Sequence, residues 1–87
     1  MTKFQKKVYD VVKGIPKGQV LTYKEVAKLI GRPMAYRAVG KALNRNSFKS
    51  VPCHRVIKSD GKIGGYARGT KIKFSLLKKE GYKNPKL

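Results

Sequence analysis

Acidic residues are scarce in this chain. Asp and Glu number 4 against 22 Lys and Arg in 87 residues, a formal net charge of +18. Such a balance costs self-repulsion and points to a polyanionic partner. Nucleic acid is the first candidate, an anionic membrane surface the second, and a solubility adaptation without a partner the third. Cysteine and histidine occur once each. A single cysteine excludes an internal disulfide framework and fits a reducing, intracellular compartment. One Cys and one His cannot make a four-ligand zinc site, so neither a metal nor an organic cofactor is expected. No apolar run reaches the length of about 18 residues that a spanning helix needs, so no membrane partner is expected. Signal peptide, internal repeats and low-complexity linkers are also missing from the pattern. The length suits one domain over residues 1–87, with one modest core, acting as a monomer.

What is present is concentrated in Val51-Pro52-Cys53-His54-Arg55-Val56. It sets the only cysteine beside the only histidine. A thiolate is a strong nucleophile, and a nearby imidazole or positive charge lowers the thiol pKa. Pro52 fixes its own φ and biases Val51 toward an extended shape. The plainer alternative is a lone cysteine packed as a small hydrophobe. Adjacency alone does not pair the two side chains, because neighbours on an extended segment face opposite ways.

The rest of the chain reads as a mainly α fold with a small β wing. Thr2-Lys3-Phe4-Gln5 is a capping box opening a helix over about residues 3–13, with Phe4, Val8, Val11 and Ile15 on one face. Gly14 and Pro16 stop it, and 19–22 is a short extended piece. Thr22-Tyr23-Lys24-Glu25 is a second capping box, for a helix over about 23–30 that buries Val26, Ala27 and Ile30. Gly31 and Pro33 separate it from a third helix, from about residue 34 or 35 to 44, with Ala38, Val39, Ala42 and Leu43 inward. Two short helices around a Gly-containing turn, over about 23–45, outline a single winged-helix-like helix-turn-helix domain. Tyr36, Arg37, Lys41 and Arg45 point away from its apolar side. A structural helical hairpin has the same spacing; the surrounding charge favours DNA. Residues 51–57 read as extended. Ser59-Asp60-Gly61-Lys62 is a turn signal that predicts a small hairpin between Val56-Ile57 and Ile63. The glycine-rich stretch Gly64 to Gly69 lacks the strand and helix flanks of a nucleotide fingerprint. Thr70 is placed to cap a last helix over about 71–80, with Ile72, Leu76 and Leu77 inward and Gly81 closing it. The tail after Tyr82 is expected to fray.

From Phe4 to Gly81 this chain resembles the C-terminal domain of the O6-alkylguanine-DNA alkyltransferases (methylated-DNA–protein-cysteine methyltransferases). The resemblance is carried by Leu21-Thr22-Tyr23, Tyr36-Arg37-Ala38-Val39-Gly40, Asn46, Pro52-Cys53-His54-Arg55-Val56, Gly65-Tyr66, Leu76-Leu77 and Glu80-Gly81. It implies direct repair of double-stranded DNA containing alkylated guanine, by one irreversible transfer of the alkyl group to Cys53. His54 would act through a water as base, with Glu80 orienting the imidazole. Tyr23 would donate to the guanine ring and help rotate the nucleotide. Arg37 would fill the gap left by the flipped base. Asn46 would brace the turn between the recognition helix and the cysteine segment. Val56 and the loop from Ile63 to Arg68, with Tyr66 and Ala67, would form the base pocket. The resemblance thus divides the chain into a helix-turn-helix at about 23–45, an active-site segment at 51–57, a pocket loop at 58–69 and a last helix at 70–81. Binding would be through the minor groove, whose degenerate code suits a protein that must not choose sequence.

The chain departs from the family pattern in four places. The usual N-terminal domain is missing, and a separate chain supplying it is conceivable. The run from Asn46 to Cys53 is one residue shorter than usual, with Ser47 where proline is common. Arg68 stands where glycine is common, beside the pocket, and Lys79 replaces the histidine that usually precedes Glu80. Two other readings stay open: a lesion sensor like the alkyltransferase-like proteins, which lack the cysteine, and an architectural DNA-binding protein in which Cys53 only packs.

Overall fold

A computed structural model of the chain describes residues 1–45, 50–83 and 85–87. Its elements in order are α1 (Lys3–Lys13), β1 (Leu21–Thr22), α2 (Tyr23–Leu29), α3 (Tyr36–Asn44), a one-turn 3-10 helix (Cys53–Arg55), β2 (Val56–Ile57) and α4 (Thr70–Lys79). The mainly helical fold with a small β element is therefore what forms. Both predicted capping boxes are closed. Thr2 and Thr22 each accept from the backbone three residues on, and Gln5 and Glu25 return the bond. These bonds satisfy amides that the first turn of a helix leaves without partners.

Helices α1, α2 and α3 pack around one core. Val8, Val12, Val26, Ala27 and Val39 are fully buried there, with Tyr9, Ala42 and Leu43 nearly so. Each fully buried valine stabilises by about 1.5–3 kcal/mol relative to exposure. The inward face of α1 is Val8, Tyr9 and Val12, while Phe4 and Val11 are only partly covered. The Tyr9 hydroxyl donates to the Ala42 carbonyl at 2.8 Å across the α1–α3 contact. Ala38, expected inward, is exposed. Between α2 and α3 the chain turns in a Schellman motif. Gly31 N–H donates to the Lys28 carbonyl and Arg32 N–H to that of Ala27.

Four local expectations are corrected. Residues 51–57 are not one extended run, because Cys53–Arg55 winds into a 3-10 turn. Strand β2 does not form a hairpin with Ile63. It pairs in parallel with β1, Leu21 against Val56 and Thr22 against Ile57. The predicted turn does form, with Lys58 N–H donating to the Lys62 carbonyl at 2.9 Å. However, Ile63 is fully buried against Ile57 and Leu77, and its N–H donates to Lys86 at 2.7 Å. The tail is accordingly held at Lys86, not frayed. Finally, Gly69 occupies the N-cap of α4 and Thr70 is its first helical residue, without a side-chain cap.

Helix α4 also turns a different face inward. Ile72 is 42% exposed, whereas Lys73 is fully buried. Lys73, Leu77 and Glu80 follow the i, i+4, i+7 spacing of one helical stripe. The stripe is apolar only in its middle: at one end Lys73 reaches the Val56 and Gly65 carbonyls, and at the other Glu80 reaches His54 and Arg55.

Candidate active site

The cysteine segment owes its shape to Pro52. At φ −79° and ψ 69° this residue closes an inverse γ-turn, in which Cys53 N–H donates to the Val51 carbonyl at 2.8 Å. The 3-10 turn follows at once. Arg55 N–H donates to Pro52 at 3.0 Å and Val56 N–H to Cys53. With three residues per turn, successive side chains diverge by about 120° and not by the half-turn of a strand. Cys53 and His54 therefore both line one cavity of about 630 Å³. Cys53 is 8% exposed.

Glu80 enters from the far end of the chain as the C-cap of α4. Gly81, at φ 92°, takes the left-handed conformation that side chains disfavour. Its N–H donates to Lys78 and that of Tyr82 to Leu77, completing a second Schellman motif. The helix end is thereby fixed, and with it the carboxylate. His54 Nε2 lies 2.9 Å from Glu80 Oε2. Arg55 Nε donates to Oε1 at 2.9 Å and its Nη2 to Oε2 at 2.8 Å. The remaining arm of Arg55, Nη1, donates to the Ile15 carbonyl at 2.7 Å. The hydrogen bonds from Arg55, then those from His54, hold the Glu80 carboxyl down at about 2, against the opposing effect of burial. A carboxylate only accepts, so His54 carries its proton on Nε2 toward Glu80. In the neutral ring Nδ1 is then left as the basic nitrogen.

Around this group the pocket loop supplies Tyr66, Ala67 and Arg68 to the cavity wall. The Tyr66 ring meets His54 edge-on, with centroids 6.4 Å apart at 77°. Tyr23, at the start of α2, does not line this cavity. A side chain on Gly64 of the loop would meet its hydroxyl at 3.5 Å, which places Tyr23 against the loop's backbone. Burial raises the Tyr23 phenol above its ordinary value, and the negative charge on Cys53 adds to that. Val56 is fully buried in the core and paired in the sheet. Arg37 is exposed, one residue into α3, away from the cavity. Asn46 lies outside the described residues. The structure thus gathers Cys53, His54, Glu80, Tyr66 and Ala67 in one place and leaves Tyr23, Val56 and Arg37 beyond its walls.

Two side chains were missed by reading the sequence. Arg55 stands inside the cysteine motif, but its partner lies 25 residues away and nothing local announces it. Lys73 is not among the α4 positions expected inward from the sequence. Its Nζ in fact donates to the carbonyls of Val56 at 2.7 Å and Gly65 at 3.1 Å. It also sits 5.8 Å from the centre of the Tyr23 ring. The one legible signal was its place four residues before Leu77 and seven before Glu80.

Residues 3–82 match the family described as 6-O-methylguanine DNA methyltransferase, DNA binding domain. A methylated-DNA–protein-cysteine methyltransferase of Methanosarcina barkeri is 58% identical over 80 residues, which cover 91% of this chain and 51% of that protein. The chain spans about half the length of the curated relatives it matches. Among solved structures, Mycobacterium tuberculosis OGT in complex with DNA superposes with a TM-score of 0.88 at 44% identity, covering 92% of this chain and 49% of that one. S. pombe Atl1, in complex with damaged DNA containing O6-carboxymethylguanine, gives 0.84 at 40% identity, covering 93% of this chain and 78% of that one.

Proposed function

Because the chain belongs to the 6-O-methylguanine DNA methyltransferase DNA-binding-domain family, we propose that it repairs DNA by taking an alkyl group from O6 of guanine onto Cys53. The observation that carries this reading is the cavity in which Cys53 and His54 meet, with His54 held through Nε2 by Glu80. His54 Nδ1 takes the thiol proton through a water. The thiolate attacks the alkyl carbon in line, a C–S bond forms and the C–O6 bond breaks. The electron pair stays with guanine, which regains its proton as the normal base. The thioether is not reversed by water or a second thiol, so each molecule acts once. No metal or organic cofactor enters this scheme.

The nearly buried sulfur cannot reach a carbon inside the duplex stack, so the nucleotide must be turned out. Helix α3, the second of the helix-turn-helix over residues 23–45, would lie along the minor groove with Arg37 filling the vacated place. Tyr66, Ala67 and the backbone around Val56 would hold the extruded base, with Tyr23 donating to its ring. The net charge of +18 supplies attraction to the phosphates irrespective of sequence.

A second reading comes from the likeness to S. pombe Atl1, whose length this chain covers more fully than that of the methyltransferases. On that reading the chain binds alkylated DNA without transfer. Intact mass after incubation with excess duplex containing O6-methylguanine separates the two. One added methylene unit, mapped to Cys53, is the expected result, with Cys53→Ser binding DNA but transferring nothing. Unchanged mass with retained binding favours the sensor. Methylation elsewhere, or repeated turnover, defeats the repair reading.

A further inference from the structure

Most of the 22 Lys and Arg lie outside the helix-turn-helix over residues 23–45. One group of them is assembled by backbone bonds between segments far apart in sequence. Lys58 N–H donates to the Lys62 carbonyl at 2.9 Å and closes the turn after β2. Lys62 then pairs with Lys86 in a parallel β-bridge, and Ile63 N–H donates to the Lys86 carbonyl at 2.7 Å. Burial of Ile63 against Ile57 and Leu77 fixes this junction to the core. The three lysines themselves are exposed.

Residues opposed across a β-pair send their side chains to the same face, where like charges repel. Lys62 and Lys86 are such a pair. An acid beside them would relieve the repulsion, and the acid of this turn is Asp60. Both of its oxygens are engaged. Oδ1 accepts from the Lys62 amide at 3.0 Å, and Oδ2 lies 3.8 Å from Lys58 Nζ. Among the described residues no carboxylate forms an ion pair with Lys62 or Lys86. The pair is open to an anion from outside.

Its position says which anion. The Lys58 stem passes Gly64, where an added Cβ would lie 3.0 Å from Lys58 Cγ and 3.5 Å from the Tyr23 hydroxyl. Tyr23 opens α2, and its neighbour Lys24 sits 5.5 Å from the centre of the Tyr36 ring at the start of α3. Arg37 follows Tyr36. A path of neighbours thus runs from Arg37, proposed above to enter the duplex, through Tyr23 to the lysine pair. A duplex carries its phosphates in a continuous row, so the row that meets α3 continues toward this turn.

We infer that Lys62 and Lys86 form a second phosphate-binding site on the same duplex, which makes the segment after α4 part of the DNA interface. The inference rests on the DNA-binding half of the reading above and adds a contact outside the helix-turn-helix. The pair grips backbone and not bases, so it adds affinity without sequence preference.

Lys62→Gln with Lys86→Gln removes both charges and leaves the backbone bonds of the bridge in place. Lys3→Gln with Lys7→Gln removes the same charge from α1. Affinity of each chain for an unmodified duplex is measured by fluorescence anisotropy across a range of salt. The Lys62/Lys86 variant should bind about tenfold more weakly, with a log–log salt slope shallower by about 1.8, at about 0.9 per phosphate lost. The Lys3/Lys7 variant should keep the wild-type slope. The duplex is then shortened stepwise from either end. Shortening from one end should erase the difference between wild type and the Lys62/Lys86 variant, and shortening from the other should preserve it. An unchanged slope in the Lys62/Lys86 variant overturns the proposal, and so does an equal loss in the Lys3/Lys7 variant. A difference that survives shortening from each end assigns the pair to another nucleic-acid segment and overturns it as well. Binding is read without alkyl transfer, so a wild-type chain that leaves Cys53 unmodified sinks the repair reading alone.

Discussion

Arg55 grips both carboxylate oxygens of Glu80, at 2.9 and 2.8 Å, across 25 residues of sequence. The fork is bidentate and largely buried, the geometry in which an Arg–carboxylate pair is strongest. Because Nη1 also holds the Ile15 carbonyl, one guanidinium joins the end of α1, the cysteine turn and the end of α4. Glu80 is thus a structural anion and a partner of His54 at once.

Its pH dependence follows from the lowered carboxyl, at about 2 when folded against an ordinary 4.5. A carboxylate stabilised this way contributes fully above the unfolded value and loses its contribution as pH falls toward the folded one. Glu80→Gln should therefore cost on the order of 3 kcal/mol at pH 7. The gap to wild type should narrow below about pH 4.5 and close near pH 2. Urea unfolding of both chains across that range checks this, and a constant gap would contradict it.

His54 and Glu80 should behave as one unit in transfer. Either change alone should slow single-turnover methylation of Cys53. The double variant should lose little more than the worse single one, because groups acting through each other are not additive. Strictly multiplying losses would separate their roles.

Arg37 is exposed on α3 and away from the cavity. Arg37→Ala should therefore leave reaction with free O6-alkylguanine base within about twofold and slow repair of duplex DNA by tenfold or more. Equal losses on both substrates would move Arg37 into the chemistry or the fold.

Arg68 lines the cavity beside Tyr66 and Ala67. Truncation to Arg68→Gly should open that wall and raise the benzyl rate relative to the methyl rate. Competition between O6-benzylguanine and O6-methylguanine substrates reads the ratio, and an unchanged ratio removes Arg68 from substrate choice.

The outlines of α1, α2 and α3 were legible because their ends are written in neighbouring residues. Thr2 with Gln5, Thr22 with Glu25 and the glycine at 31 act over three to six positions. Cys53, His54 and Glu80 were legible as chemistry by residue type and by resemblance. The pairing of β2 with β1 was not, since two-residue strands carry almost no pattern. The turn signal after Ile57 suggested a local partner, yet Leu21 and Thr22 lie more than thirty residues away.

By itself, the sequence determined the capping boxes of α1 and α2, the lone cysteine beside the lone histidine, and the positive charge that suits a polyanion. These depend on short-range hydrogen bonds, on functional groups and on simple counting. The tertiary structure alone decided that Lys73 goes inward while Ile72 stays at the surface, and that Arg55 clamps Glu80. Lysine is normally left in water by its hydration, and the carbonyls of Val56 and Gly65 with the Tyr23 ring, brought to one point by packing, offset that preference.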